Sequence, residues 1–244
     1  MSVKVSIHTL HFPNLSSDFV DAHKSVMNHF NIPVNYTVAA IRPGVWMDQI
    51  IRNSEADIVG FIDIDCIPLN DKVINETIKF VAKNKSICGV AQATNHIPPM
   101  THVFCSPAFF FMWRPLHTAL NQPSFLETQR SDVGQEICYV AETNGVRMKQ
   151  FYPTHFEREP QEGVWRLGNY GLYGIGTVFE NKIYHLYQSR MQSNVELFIK
   201  RCKEVINGTF TTEGMHSSTN FDFPGRICRF EPEAALSKNI EGKY

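Results

Sequence analysis

An α/β fold built on a mainly parallel, doubly wound sheet is predicted by three features of the sequence. From the N-terminus to about Gln92, segments with strand-like alternation take turns with segments whose apolar residues recur at helical spacing. A short unbroken apolar run, Ile58-Val-Gly-Phe-Ile62, has the character of a central strand covered on both faces, and two aspartates follow close behind it. With 244 residues, 43% of them hydrophobic, the chain can bury a real core, which excludes a disordered or fibrous protein.

The elements follow in order. Val3, Val5 and Ile7 mark a first strand, and Phe19, Ala22, Val26, Met27 and Phe30 mark a helix behind the cap residues Ser16 and Ser17. Val34 to Ala40 read as a second strand. After a break at Pro43-Gly44, the residues Trp46, Met47, Ile50 and Ile51 give one face of a second helix. Ile58 to Ile62 form the third strand. Asn70 or Asp71 can cap a third helix, with Val73, Ile74, Thr77, Ile78 and Val81 as its buried stripe, and Ile87 to Gln92 supply a fourth strand. Strands separated by helices pair in parallel, because the crossover returns the chain in the same direction.

From about Asn95 the texture changes, with Pro98-Pro99, Pro107, Pro115 and Pro123 cutting the chain into short pieces. The aromatic segment Phe104 to Trp113 reads as a buried strand, since Pro107 and Arg114 interrupt any membrane face. A helix is expected from near Ser131, with Val133, Ile137, Val140 and Ala141 inward and Asn144-Gly145 as a left-handed stop. Arg147 to Tyr152 follow as a strand. Gly163 to Gly176 hold five glycines with Trp165, Tyr170 and Tyr173 among them, a composition that suits a binding loop better than a packed element, with aromatics that could stack on a ligand or pack in the core. Lys182 to Tyr187 alternate as a strand. Ser189 to Ile206 form a last helix, opened by a Ser189-x-x-Gln192 capping box and closed by Asn207-Gly208.

Charge and cysteine usage narrow the function classes. The 23 basic and 24 acidic residues leave a formal net charge of −1 without blocks of like charge, so neither nucleic acid nor an anionic membrane is expected as partner. Cys66, Cys88, Cys105, Cys138, Cys202 and Cys228 are scattered, as reduced buried thiols would be. The N-terminus alternates like a strand instead of forming an apolar leader, and no segment is long and apolar enough to span a bilayer; a soluble, cytoplasmic protein is expected. Oligomeric state is not legible.

Asp63 and Asp65 carry the chemistry. Residues i and i+2 of a strand point to one side, so the two carboxylates are expected to converge while Ile62 and Ile64 enter the core. Two carboxylates held together repel unless a cation lies between them, and a hard divalent ion such as Mn²⁺ or Mg²⁺ that keeps places for water and phosphate oxygens answers that need. Spacing alone is weak, since nine aspartates give roughly 0.3 such pairs per chain by chance. The strand before the pair, and the two βα units before that strand, give it weight: strand ends of open α/β sheets bind ligands.

With this arrangement the chain resembles the GT-A family of nucleotide-sugar-dependent glycosyltransferases. Val3 to Phe12 match the nucleotide strand and loop, and Val59-Gly-Phe-Ile-Asp-Ile-Asp65 the metal strand. Ser106 to Arg114 match the strand beneath the donor sugar, and Ser131-Asp-Val-Gly-Gln-Glu136 the acidic helix start facing the acceptor. The resemblance covers roughly residues 1 to 155, by order of elements more than by identity. It implies a single GT-A-like domain over 1–244: a nucleotide- and metal-binding half at 1–95, an acceptor-side half at 96–210 and a tail at 211–244. It implies also Mn²⁺ or Mg²⁺, a UDP- or GDP-sugar donor, and a glycan or other hydroxyl acceptor.

Residue roles follow from that resemblance. Asp132 and Glu136, four apart and so on one helix face, are the candidate bases that take the acceptor's proton, although acidic residues at a helix start are commonly structural. His185 is the candidate third metal ligand. Arg190 is a candidate diphosphate contact, and Arg166 a weaker one. His8 and His11 are expected to meet the nucleotide base, Asp48 the ribose or sugar, and Asp63 the donor as well as the metal. Two rivals stand beside this reading. A haloacid-dehalogenase-like phosphatase would want its aspartates on the first strand and a late acidic motif, but no Asp occurs between Asp132 and Asp222. A GT-A-like protein that binds nucleotide or glycan without transfer would keep the metal pair and need no base.

Overall fold

The computed structural model describes residues 3–94, 102–160 and 163–219. The Pro98-Pro99 break, Cys228, Asp222 and the tail from 220 onward lie outside the described residues. The protein is a mixed α/β structure around a six-stranded sheet. β1 (Val5–His11), β2 (Asn35–Val38), β3 (Ile58–Ile62), β5 (Ile87–Ala93) and β7 (Lys149–Phe151) run in one direction, and β6 (Val103–Trp113) runs against them. The order across the sheet is β2-β1-β3-β6-β5-β7.

Alternation along the central strands sorts side chains onto two faces. Ile58 and Ile62 of β3, with Phe109 and Phe111 of β6, meet α1 (Ser17–His29), α3 (Lys72–Asn84) and α6 (Gln192–Ile206). Val59 and Phe61, with Phe110 and Met112, meet α2 (Pro43–Asn53) and α5 (Gln135–Thr143), and Leu120 after α4 (Arg114–Ala119) joins them. Helices thus cover both faces, as a doubly wound sheet requires. Gly60 sits between these layers because the Phe111 ring occupies the place of a side chain, only 2.5 Å from where its Cβ would be.

The five described cysteines are buried free thiols. No helix among the described residues is long and apolar enough to cross a membrane.

Several local expectations are corrected. Pro43-Gly44 does not separate elements; Pro43 opens α2, where its missing N–H costs nothing. Ser16 stands at the N-cap of α1 without a side-chain cap bond. For α3 the bonds come from Asn70, whose Oδ1 accepts from the N–H groups of Lys72 and Val73 at 3.0 and 3.1 Å. The Ser189-x-x-Gln192 box does not form, because α6 starts at Gln192 behind Met191. Its Asn194 amide instead reaches back to the carbonyls of Tyr187 and Gln188. The glycine-rich segment is no loop: β9 (Val164–Leu167) and β10 (Gly171–Gly174) make an antiparallel hairpin, and β11 (Gly176–Phe179) follows at once.

Unforeseen in the sequence is a second, wholly antiparallel sheet. Its order is β13 (His216–Ser217), β8 (Pro153–Glu157), β11, β12 (Ile183–Leu186) and β4 (Cys66–Pro68). β4 is the continuation of β3 after a turn. The chain therefore leaves the parallel sheet at Ile62 and enters the antiparallel one at Cys66, with Asp63 and Asp65 at the seam.

Candidate metal centre

Asp63 and Asp65 do not converge by strand alternation, as expected; a turn closed by the Cys66 N–H to the Asp63 carbonyl at 3.0 Å folds them together. Both flanks hold that turn. The Asp63 N–H donates to the Ala108 carbonyl at 3.0 Å, the Leu186 N–H to the Asp65 carbonyl at 2.9 Å, and the buried Thr9 hydroxyl to the Ile62 carbonyl at 2.7 Å. Ala108 lies where β6 breaks register against β5, so that Pro107 to Phe109 bulge beside Asp63. A proline without a ladder donor is accommodated at such a bulge, and bulges re-aim neighbouring groups.

His185 enters from β12, where it pairs with Cys66 of β4. One ligand atom from each of Asp63, Asp65 and His185 lies within 4.8 Å of the others. The His185 Nε2 stands 3.4 Å from Asp65 Oδ1, and its Nδ1 is buried with no hydrogen-bond partner. Burial first, and the Asp65 charge second, push the Asp63 carboxyl up to about 7, while His185 pulls it down. Burial, then the two aspartates, hold the Cys66 thiol well above its ordinary value, so Cys66 is inert beside them. Crowded, poorly solvated carboxylates and an imidazole with an orphaned nitrogen fit a divalent cation, which would relieve the repulsion.

The other predicted residues separate into those near this cluster and those engaged elsewhere. His8 and His11 are three apart on β1, an odd spacing that puts them on opposite faces. His8 lies 6.3 Å from the Phe61 ring in the layer shared with α2; burial lowers its pKa and leaves its Nε2 without a partner. His11 faces the other layer, where it and Asp65 both act on His23 of α1. Arg190 spans from the β12–α6 turn to the Phe12 ring, 5.5 Å away, and so reaches the loop after His11. Asp48 is turned from a ribose role to a structural one: its oxygens accept from the Ser124 hydroxyl at 2.6 Å and the Phe125 N–H at 3.0 Å. Arg166 is exposed on the β9–β10 hairpin.

Asp132 and Glu136 do not share a helix face, because α5 starts only at Gln135. Asp132 belongs to the turn before it and is not a free group; its Oδ1 accepts from the Val133 N–H at 2.8 Å. Glu136 is bound by the Arg130 guanidinium, with Nε at 3.0 Å. The turn packs on the bulge, since Gly134 lies against Pro107. Gly134 adopts φ 73°, a left-handed conformation that glycine takes without strain.

Sequence reasoning missed the aromatic wall beside the triad. Tyr187 lies 4.2 Å from the His185 ring and 5.2 Å from Tyr173, which packs on Trp165, and its hydroxyl is buried without a partner. The signal was its place two residues after His185. Tyr173 and Trp165, read as ligand-stacking candidates, are packed into this wall, whereas Tyr170 is 59% exposed. Gln135, buried among polar groups, gave no signal, because its partners Thr94 and His102 are distant in sequence.

No family model matches the chain, and no curated protein matches it. Solved structures do. The catalytic domain of Drosophila β1,4-galactosyltransferase 7, in complex with xylobiose, is similar at a TM-score of 0.44 and 12% identity over 61% of this chain and 65% of that one. The mannosyltransferase PcManGT from Pyrobaculum calidifontis, in complex with GDP-Man and Mn²⁺, is similar at 0.44 and 10% over 62% and 55%. A197 from STIV is similar at 0.41 and 13% over 75% and 93%. The match spans less than two thirds of either transferase chain.

Proposed function

We propose that this chain is a metal-dependent glycosyltransferase that moves a sugar from a UDP- or GDP-sugar to a hydroxyl of a glycan or another acceptor. The observation that carries the reading is the cluster of Asp63, Asp65 and His185 at the carboxyl end of the central strand β3. Mn²⁺ or Mg²⁺ held there would supply the positive charge that a departing diphosphate needs. The chain's own groups take the remaining roles. Arg190, standing over Phe12, contributes a cation for the diphosphate, and His11 lies in the same loop region for the nucleotide. Asp132 is the base that accepts the acceptor's proton; Glu136, already paired with Arg130, is left with a structural part.

Calorimetric titration of UDP and then GDP, with and without Mn²⁺, tests the reading on the wild type and on Asp65→Ala. The expected result is binding that requires Mn²⁺ and disappears in the variant. Absence of any nucleoside diphosphate binding overturns the proposal. Metal-dependent binding with no sugar transfer to any hydroxyl, water included, replaces it by the non-catalytic reading.

A further inference from the structure

Gln135 is 2% exposed, and every valence of its side-chain amide is used. Its Oε1 accepts from the Thr94 hydroxyl and from the backbone N–H of Asp132 at 2.8 Å. Its Nε2 meets His102 Nδ1 at 3.0 Å and the Tyr139 hydroxyl at 3.4 Å. An amide has two acceptor sites and two donors, so nothing is left over. Its orientation is fixed by chemistry. A backbone N–H can only donate, so the group facing Asp132 N must be the oxygen, and the group facing His102 must be the NH₂.

That assignment propagates outward. Since Gln135 donates to His102 Nδ1, this nitrogen accepts, and the ring's proton is on Nε2. From there it donates to Glu142 Oε2 at 3.0 Å. The imidazole lies flat on Tyr139, with centroids 3.8 Å apart and planes 13° from parallel, and Phe104 lies parallel to it at 6.2 Å. A relay of hydrogen bonds thus runs from Glu142 at the surface through His102 and Gln135 to the backbone of Asp132. The same amide ties β5, through Thr94, to the start of α5.

We infer that Gln135 is the positioning residue of the candidate base: its amide, oriented by the Asp132 N–H and braced by His102 and Glu142, holds the Asp132 turn against the bulge at Pro107. The inference rests on the glycosyltransferase reading for its functional part, and on the geometry alone for its structural part. Asp132 precedes α5 and is not held by its ladder, so its turn is anchored from outside the helix, by the Gly134 N–H on the Phe125 carbonyl at 2.9 Å and by the Gln135 side chain.

Two measurements test this. Nitrogen-15 NMR of the full chain at mildly alkaline pH is expected to find His102 neutral with its proton on Nε2. In Gln135→Leu the Asp132 amide is expected to lose protection from exchange and His102 to lose its single tautomer. A proton on Nδ1 in the wild type, or an Asp132 amide unmoved in Gln135→Leu, overturns the inference. The second measurement is Mn²⁺-dependent hydrolysis of UDP-glucose or GDP-mannose, read beside binding of the nucleoside diphosphate. Gln135→Leu is expected to bind as the wild type does, with kcat lower by on the order of 10²-fold, as for a misplaced reacting group. Gln135→Glu, which still accepts from Asp132 N, is expected to recover most of that loss. Binding and turnover falling together would make Gln135 a structural residue only and sink its positioning role. If the wild type binds no nucleoside diphosphate, the glycosyltransferase reading fails, and the NMR result still decides whether Gln135 anchors the turn.

Discussion

Asp63 and His23 are driven to their neutral forms by one cause. Burial lifts the Asp63 carboxyl to about 7 and lowers the His23 imidazole to about 4, because a low dielectric disfavours whichever form is charged. His23 is fully buried in α1, with Nδ1 3.0 Å from the Tyr36 hydroxyl. Its folded-state pKa lies below the ordinary 6.5. The unfolded chain therefore binds the extra proton in the window between about 4 and 6.5, and stability falls as pH drops through that window. At about 1.36 kcal/mol per unit the loss is of order 3 kcal/mol. Urea unfolding across that range is expected to show it in the wild type and to show a smaller loss in His23→Gln. An equal loss in both chains would place the acid sensitivity elsewhere.

Between elements, a buried ion pair ties α6 to the second sheet. Arg201 of α6 donates to Glu157 of β8 through Nε at 2.8 Å and to Glu204 at 2.5 Å, and the Arg201 and Glu157 side chains are each 11% exposed. Burial keeps the Glu157 carboxyl above the usual range in spite of the guanidinium, so the pair relieves a desolvation cost more than it adds stability. Removing one partner is worse than removing both. Arg201→Met is expected to destabilise the protein by about 3 to 5 kcal/mol at neutral pH, and Arg201→Met with Glu157→Leu by clearly less, both read from denaturant midpoints. If the double variant is as unstable as the single one, lost packing of Arg201 is the cause instead of the stranded carboxylate.

For the molecule as a whole, the candidate metal centre would set function against stability. Two crowded carboxylates cost folding energy in the absence of a cation and return it when one binds. Asp63→Asn is expected to raise Tm without metal and to abolish the response to Mn²⁺. In the wild type, Mn²⁺ at 100 times its Kd is expected to stabilise by about 2.7 kcal/mol. For a chain of this size that shift is roughly 5 to 11 °C in a thermal melt. An Asp63→Asn chain that still shifts with Mn²⁺ would move the cation away from Asp63.

The sequence by itself determined the elements of the parallel sheet, because their cues are local. An apolar run at Ile58 to Ile62, helical stripes in α1 to α3, and Asn-Gly stops at the ends of α5 and α6 each lie within a few residues of what they specify. It also singled out Asp63, Asp65 and His185, since a carboxylate pair at a strand end and a histidine in an alternating segment are visible one at a time. Only the tertiary structure decided how they meet. The bulge at Pro107 to Phe109 and the passage of β4 into an antiparallel sheet are pairings between residues far apart in the chain, and they flank the local turn from Asp63 to Cys66. For the same reason the partners of Asp48 were not legible: its hydrogen bonds go to Ser124 and Phe125, more than seventy residues away. Gln135 passed unnoticed because Thr94 and His102 come to it only when β5, β6 and α5 pack. Periodicity reports which face of an element is buried, and it carries no information about which distant backbone group a polar side chain will find there.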